Sequence, residues 1–193
     1  MKKTIAIVGG IGSGKSVVSH ILRLLGYDVY DCDSNAKLLM NTSTRIQSQL
    51  IDAFGSEVVS SNGEINRRRL SDIIFRDKTS LNTINGIVHP AVKEDINQRL
   101  SESKSKLYFV ETALPQESGI DKMCNHIWLV DASKDIRISR VMARNSFSQE
   151  QVEERMRKQD YSKLDDSKTI IITNDNHSAV LPQVVKALNE IQK

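Results

Sequence analysis

The sequence predicts an α/β fold in which a mainly parallel sheet is flanked by helices and interrupted by a helical insertion. Three observations predict it. Short apolar runs alternate with helical patterns at both ends of the chain. A glycine-rich turn joins the first apolar run to the first helical stretch. Between about Ser34 and Ser105 the alternation stops and helical patterns follow one another. At 193 residues, with 39% hydrophobic and 26% charged residues, the chain has ordinary globular composition and the size of one domain carrying an inserted subdomain.

Each element has a local reason. Ile5 to Val8 is a continuous apolar run, suited to a strand buried on both faces. A helix is expected from about Lys15 to Leu25, with Gly26 placed to end it. Tyr27 to Asp31 reads as a short second strand. Within the insertion, helices are expected over Arg45 to Phe54, Arg68 to Phe75, Ser80 to Ile87 and Pro90 to Leu100, with a turn at Asn62-Gly63. Pro90 fits the first turn of a new helix, where its missing N–H would be unpaired anyway. Leu107 to Thr112 and Ile127 to Asp131 resume the strands, and Asp135 to Arg144 is the helix that follows. Ser148-Gln149-Glu150-Gln151 has capping-box form and opens a helix through about Lys158. Thr169 to Thr173 is the last strand and Ala179 to Ile191 the last helix.

Composition excludes several function classes. A net charge of +3 suits anionic ligands, but with 5% aromatic residues and dispersed charge it gives no footprint for nucleic acid. Two cysteines, Cys32 and Cys124, lack the Cys-x-x-Cys spacing, so neither a disulfide framework nor a zinc site is expected, and a reducing, cytoplasmic compartment is. Met1-Lys2-Lys3 before Thr4 to Val8 faintly imitates a signal peptide, but the apolar run is too short and glycines and Lys15 follow it. No segment has the length to span a bilayer. The expectation is a soluble protein without a membrane partner, a monomer or weak homo-oligomer.

Gly9-Gly10-Ile11-Gly12-Ser13-Gly14-Lys15-Ser16 satisfies G-x-x-x-x-G-K-[ST] and sits between a strand and a helix, the context that motif requires. Glycines let successive N–H groups turn inward around a polyphosphate, and the helix adds the positive end of its dipole. Gly12, Ser13, Gly14, Lys15, Ser16 and Val17 are therefore the expected nucleotide-binding residues, with Lys15 on the outer phosphates and the Ser16 hydroxyl as a magnesium ligand. No Asn-Lys-x-Asp segment of the guanine-specific kind occurs, which favours ATP. The expectation is a P-loop phosphotransferase using ATP with Mg2+ on a small molecule.

Further residues have two readings each. Asp33 lies at the end of the second strand, which in open α/β sheets faces the ligand crevice. Its carboxylate can accept a proton from an attacking hydroxyl, or it can cap a helix starting near Asn35, and the two roles can coexist. His89, ahead of a helix, fits packing or capping at least as well as ligand binding. Glu111 ends a strand beside the expected site and suits the water shell of a metal; Asp131 is similar but suits a loop cap as well. Arg137, Arg140 and Arg144 recur at spacings of three and four and share one helix face, with Arg155 and Arg157 on the next helix. They read as a lid closing over phosphates, or as a solvated basic face paired with Glu150, Glu153 and Glu154.

The Gly9 to Ser16 cradle, Tyr30-Asp31-Cys32-Asp33, Gly63-Glu64-Ile65-Asn66-Arg67-Arg68-Arg69-Leu70 with Ile74-Phe75, and Ile87-Val88-His89-Pro90-Ala91-Val92 together resemble the dephospho-CoA kinase family over essentially the whole chain. The resemblance implies transfer of the γ-phosphoryl group of ATP to the ribose 3′-hydroxyl of dephospho-CoA, the last step of coenzyme A synthesis. It implies Asp33 as catalytic base, with Lys15 and Arg140 also catalytic, Arg67 and His89 shaping the acceptor site, and Glu111 at the acceptor wall. Arg140, Arg144-Asn145 and Arg155-Met156-x-x-Gln159 match the family's lid pattern, and Asn174 its asparagine near the adenine. The implied organisation is a core of residues 1–33 and 106–193, an acceptor-binding insertion over about 34–105 and a lid over about 140–165. One departure stands out: where the family has Pro-Leu-Leu-x-Glu, this chain has Ala113-Leu114-Pro115-Gln116-Glu117, with the proline displaced. Other small-molecule or nucleoside monophosphate kinases, and a non-catalytic nucleotide-binding switch, remain as alternatives.

Overall fold

The computed structural model describes residues 2–145 and 147–192, and the side chains of these except Phe75, Arg76 and Lys78. Met1 and the Phe75 side chain, both part of the sequence argument, lie outside that description. The chain divides into two compact units: Met1–Tyr30 with Ser103–Lys193, and Asp31–Glu102.

The chain opens with β1 (Lys3–Val8), α1 (Lys15–Leu24) and β2 (Asp28–Asp31). The second unit follows as α2 (Cys32–Thr42), α3 (Thr44–Phe54), a single 3₁₀ turn at Ser56–Val58, α4 (Arg67–Arg76) and α5 (Lys78–Glu102). The first unit then resumes with β3 (Leu107–Glu111), the one-turn helices α6 (Pro115–Ser118) and α7 (Ile120–Met123), and β4 (His126–Asp131). It ends with α8 (Lys134–Asn145), α9 (Gln149–Arg157), a 3₁₀ turn at Asp166–Lys168, β5 (Thr169–Thr173) and α10 (Val180–Gln192).

The strands form one five-stranded sheet in the order β2-β3-β1-β4-β5. β1 pairs in parallel with β3 and with β4, and β4 in parallel with β5. Helices on both faces bury the strands, which explains why Ile5, Ala6, Ile7 and Val8 are consecutive apolar residues, all inaccessible to solvent. The core of this unit joins Ile5, Ile7, Phe109, Trp128, Val130 and Ile172 of the sheet to Val18 and Leu22 of α1 and Val184, Leu188 and Ile191 of α10. The chain leaves β1 toward β2 and β3 on one side and returns to β4 and β5 on the other. The carboxyl end of β1 is thus a topological switch point, the usual site of a ligand crevice in such sheets.

Two expectations about the insertion need correction. Ser80 to Ile87 and Pro90 to Leu100 are not separate helices: α5 is continuous, with Pro90 inside it. Pro90 cannot donate to the Gly86 carbonyl, so one helical hydrogen bond is lost. Ile84, Val88, Ala91, Val92 and Ile96 nevertheless form an unbroken buried stripe at helical spacing, and that burial outweighs one missing bond. The second correction concerns the first helix of the unit, which begins at Cys32, three residues before Asn35. At Asn62-Gly63 the turn forms as expected: Gly63 has φ 81°, and Val59 bridges Ile65 in antiparallel fashion.

Candidate active site

Glycine is required in the turn after β1 for steric as well as conformational reasons. Gly12 and Gly14 adopt φ 80° and 95°, a region L side chains avoid. A Cβ on Gly12 would collide with the Arg137 backbone, and one on Gly14 with the Asn174 amide. The loop closes on itself through Ser13 N–H donating to Gly10 O at 3.0 Å, and the Lys15 ammonium donates to Gly9 O at 2.9 Å. Gly14 is the N-cap of α1 and has no side chain to cap with, and the first turn holds no acidic residue. With no side-chain cap in the way, the helix start offers its positive dipole end to whatever anion the loop encloses. Ser16 and Val17 are exposed there, and among the described residues the Ser16 hydroxyl makes no hydrogen bond.

Outward-facing carbonyls of the same loop are taken by side chains from distant parts of the chain. One Arg140 guanidinium nitrogen donates to Gly12 O at 3.3 Å and Ser13 O at 3.4 Å; the other donates to Asn174 Oδ1 at 3.3 Å and Asn176 Oδ1 at 2.5 Å. Asn174, placed by its own N–H donating to Asp131 O at 2.8 Å, donates its side-chain amide to Ser13 O at 2.8 Å. Arg137 lays its guanidinium against Gly10. The Gln159 side-chain oxygen accepts the Ile11 N–H at 2.7 Å. These contacts bring Gly12, Ser13, Gly14, Lys15, Arg140 and Asn174 together around one loop.

The remaining arginines divide. Arg144 donates to Asn145 Oδ1 at 2.8 Å and is exposed. Arg155 donates to Gln151 O at 3.0 Å and stacks on Phe147 with its guanidinium 4.2 Å from the ring centroid. Among the described residues, the ion pairs of the glutamates near them are made with lysines. Glu153 pairs with Lys134 at 2.9 Å and Glu154 with Lys158 at 2.9 Å. Hydrogen bonds from Lys134 and Gln149 hold the Glu153 carboxyl below its ordinary range, and the Lys134 pair ties α8 to α9.

Two strand ends carry carboxylates at the same edge of the sheet. Glu111, opposite Ile7 in register, is half-buried, and Asp131 is exposed. The loop after Glu111 is fastened by Thr112 N–H donating to Ile7 O at 3.0 Å and by the Tyr161 hydroxyl donating to Ala113 O at 2.8 Å. The displaced proline has a local use: Pro115 is buried and opens α6 at its first position, where a missing N–H costs nothing.

In the second unit, Asp31 rather than Asp33 caps the helix. Its Oδ1 accepts from Asp33 N–H at 3.0 Å and Ser34 N–H at 3.2 Å, and its Oδ2 from the Ser34 hydroxyl at 2.7 Å. Because α2 starts at Cys32, Asp33 falls in the first turn and its own capping role is ruled out. The Asp33 carboxylate is exposed and, among the described residues, makes no side-chain hydrogen bond or ion pair. Arg67 is the exposed first residue of α4, behind the cap in which Asn66 Oδ1 accepts Arg69 N–H at 3.1 Å. His89 is half-buried in the middle of α5, not ahead of a helix.

Three further residues, of which only Gln159 entered the sequence reading, belong to the loop's surroundings. Asn176, at φ 70°, is left-handed and shares Arg140, a contact no local pattern announces. Gln159 and Tyr161 lie beyond α9, and Gln159 was legible only as part of a lid pattern.

A family model described as dephospho-CoA kinase matches residues 3–179. A dephospho-CoA kinase of Porphyromonas gingivalis is 40% identical, covering 98% of this chain and 94% of that protein. One of Bacteroides fragilis is 36% identical over 95% and 90% respectively. A crystal structure from Thermus thermophilus superposes with a TM-score of 0.82 at 32% identity, over 99% of this chain and 96% of that one. Added to a phosphate-binding turn at the switch point of a parallel sheet, these likenesses show that the chain belongs to the dephospho-CoA kinase family, the kinases of the last step in coenzyme A biosynthesis.

Proposed function

We propose that this kinase transfers the γ-phosphoryl group of magnesium-bound ATP to the ribose 3′-hydroxyl of dephospho-CoA, with Lys15, Ser16 and Arg140 on the donor side and Asp33 on the acceptor side. The observation that carries the donor side is the division of labour in the loop. Side chains occupy its outer carbonyls, while the start of α1, with neither a side-chain cap nor an acidic residue in its first turn, is left open to phosphate. Lys15 follows the outer phosphates as a mobile cation. Arg140, already held beside Gly12 and Ser13, adds fixed positive charge where negative charge spreads during transfer. Asn174, beside Gly14, is the residue we assign to the adenine side, and Val17, exposed at 45%, to the nucleotide's flank.

Magnesium fits the residues present. The Ser16 hydroxyl is exposed and uncommitted, an oxygen donor of the kind this hard cation takes. Among the described residues no group of three or more His, Cys, Asp or Glu side chains could hold a metal alone. An ion carried by nucleotide phosphates and water needs no such cage, and when bound it neutralises charge on the transferred group. Glu111 suits the ion's water shell.

On the acceptor side, Asp33 suits a base because Asp31 has taken over the cap and, among the described residues, no hydrogen bond or ion pair holds the Asp33 carboxylate. Arg67 and His89 are assigned to holding the acceptor, an anion that an exposed guanidinium would attract. Helices α2 to α5 would then be the acceptor-binding insertion and α8 with α9 the lid. Cys32 and Cys124 are both buried, and neither is in a disulfide. No helix among the described residues is long and apolar enough to cross a membrane.

A panel of acceptors tests the assignment. Magnesium-dependent ADP release should occur with dephospho-CoA and not with nucleoside monophosphates, and the reverse selectivity would replace this reading with that of another small-molecule kinase. ADP release that ignores every acceptor would point to a nucleotide switch. Asp33→Asn should lower kcat by about a hundredfold or more while ATP affinity stays within a few fold, the loss typical of a general base. A near-normal kcat in that variant removes Asp33 from the chemistry.

A further inference from the structure

We propose that Gln159 and Tyr161 form a strap that fixes the phosphate loop to the loop after β3, making both of them positioning residues for phosphoryl transfer. Gln159 accepts the Ile11 N–H at 2.7 Å through its side-chain oxygen. Two residues on, the Tyr161 hydroxyl donates to Ala113 O at 2.8 Å. These bonds reach back 148 and 48 residues, to the two loops that leave the paired strands β1 and β3. A further bond, from Thr112 N–H to Ile7 O at 3.0 Å, completes a closed circuit from β1 through the phosphate loop and the strap to the β3 loop and back to β1.

The strap is anchored at both ends. Gln159 N–H donates to Met156 O at 3.1 Å, extending the turn that ends α9, and Leu164 N–H donates to Tyr161 O at 3.2 Å, with Leu164 buried. Ile11 is gripped twice. Its amide is bound by Gln159, and its side chain packs with Met156 against the cluster of Ile138, Val141 and Val152 on α8 and α9. A half-buried amide left without its acceptor would carry the full desolvation cost, so the Gln159 contact also selects one conformation of the loop's tip. Phosphoryl transfer depends mainly on positioning, and loops wandering by an ångström lose rate steeply. The strap spans the two loops that this position matters to: one that carries the donor in the reading above, and one that begins at Glu111.

The inference rests on the reading that the loop binds ATP, and the two fail differently. Wild-type protein that binds no ATP by calorimetry refutes the donor assignment before any variant is made. With wild-type binding in hand, Gln159→Met, which keeps length and removes the acceptor, should weaken ATP binding by roughly tenfold, the worth of a well-made hydrogen bond. Tyr161→Phe should leave ATP affinity within twofold and lower kcat/KM for dephospho-CoA by roughly fivefold, the loss of one hydrogen bond. In the double variant the two losses in kcat/KM should not multiply, because a strap cut at one end no longer transmits from the other. Melting temperatures measured alongside separate these effects from unfolding, and Gln159→Asn replaces Gln159→Met if the latter does not fold. The strap is overturned if ATP affinity in Gln159→Met stays within twofold of wild type, or if Tyr161→Phe is kinetically silent.

Discussion

Arg140 shows how one side chain can serve structure and chemistry together. Its guanidinium bridges two loop carbonyls and two asparagines, so it shapes the cradle before any phosphate arrives. Arg140→Ala should therefore raise KM for ATP as well as lower kcat, with a combined loss in kcat/KM of about a hundredfold. Lysine should not rescue it, since a single ammonium cannot span acceptors that a planar fork reaches from two sides. Steady-state kinetics with a thermal melt decide the matter: an altered kcat with unchanged KM for ATP would separate the arginine from the loop's shape. At this scale the sequence was only partly legible. The Gly9 to Ser16 motif names its own residues, because each glycine answers a backbone need. Asn174 and Ser13 are 161 residues apart, and nothing local to either signals that they meet. The exchange of roles between Asp31 and Asp33 was hidden for a different reason: a start three residues earlier turns a cap into a first-turn residue.

Among the elements, α5 offers the clearest conflict between local and tertiary preference. Gly86 and Pro90 both oppose a helix, and local reading places a boundary there. The buried stripe from Ile84 to Ile96 carries the helix through both. Nothing lies within 4 Å of a Cβ placed on Gly86, and the residue is exposed. Gly86→Ala should consequently stabilise the protein by about 0.5–1 kcal/mol, through reduced freedom of the unfolded chain. Denaturant titration checks this, and an unchanged or lower midpoint would mean that α5 uses the glycine's latitude. The short helices α6 and α7 escaped sequence reading because four residues are too few to display a period; Gly119, left-handed at φ 69°, separates them. Strands fared better. Runs such as Ile5 to Val8 are apolar on both faces because helices cover both, and that pattern survives any uncertainty about neighbours.

Across the whole molecule, the two units report separately to spectroscopy. The single tryptophan, Trp128, is fully buried in the sheet unit, with its ring centroid 5.2 Å from that of Phe109. Its indole N–H has no hydrogen-bond partner among the described residues. Native emission should accordingly be blue-shifted and resist acrylamide quenching. Its red shift on denaturation should track loss of the sheet unit, while far-ultraviolet circular dichroism follows helices in both. Emission already red-shifted and readily quenched in the native protein would contradict the packing around Trp128.

The sheet's order leaves β5 at one edge, and its sequence is Thr-Ile-Ile-Ile-Thr, without a charge. Ile171 is 61% exposed. Gln183 covers the Thr173 end, accepting its N–H and donating to its carbonyl, each at 2.9 Å; the rest of an uncharged edge strand is a template on which another extended chain can add itself, and β-branched residues make the addition favourable. Charged neighbours stand at both ends, Asp165, Asp166 and Lys168 before the strand and Asp175 after it, and they act as gatekeepers against stacking. While the sheet is intact, β4 occupies one side of this strand and pins its register. Once heat or acid frees it, the same five residues become an adhesive stretch, so loss of the kinase at high concentration should end in precipitate before it ends in soluble coil.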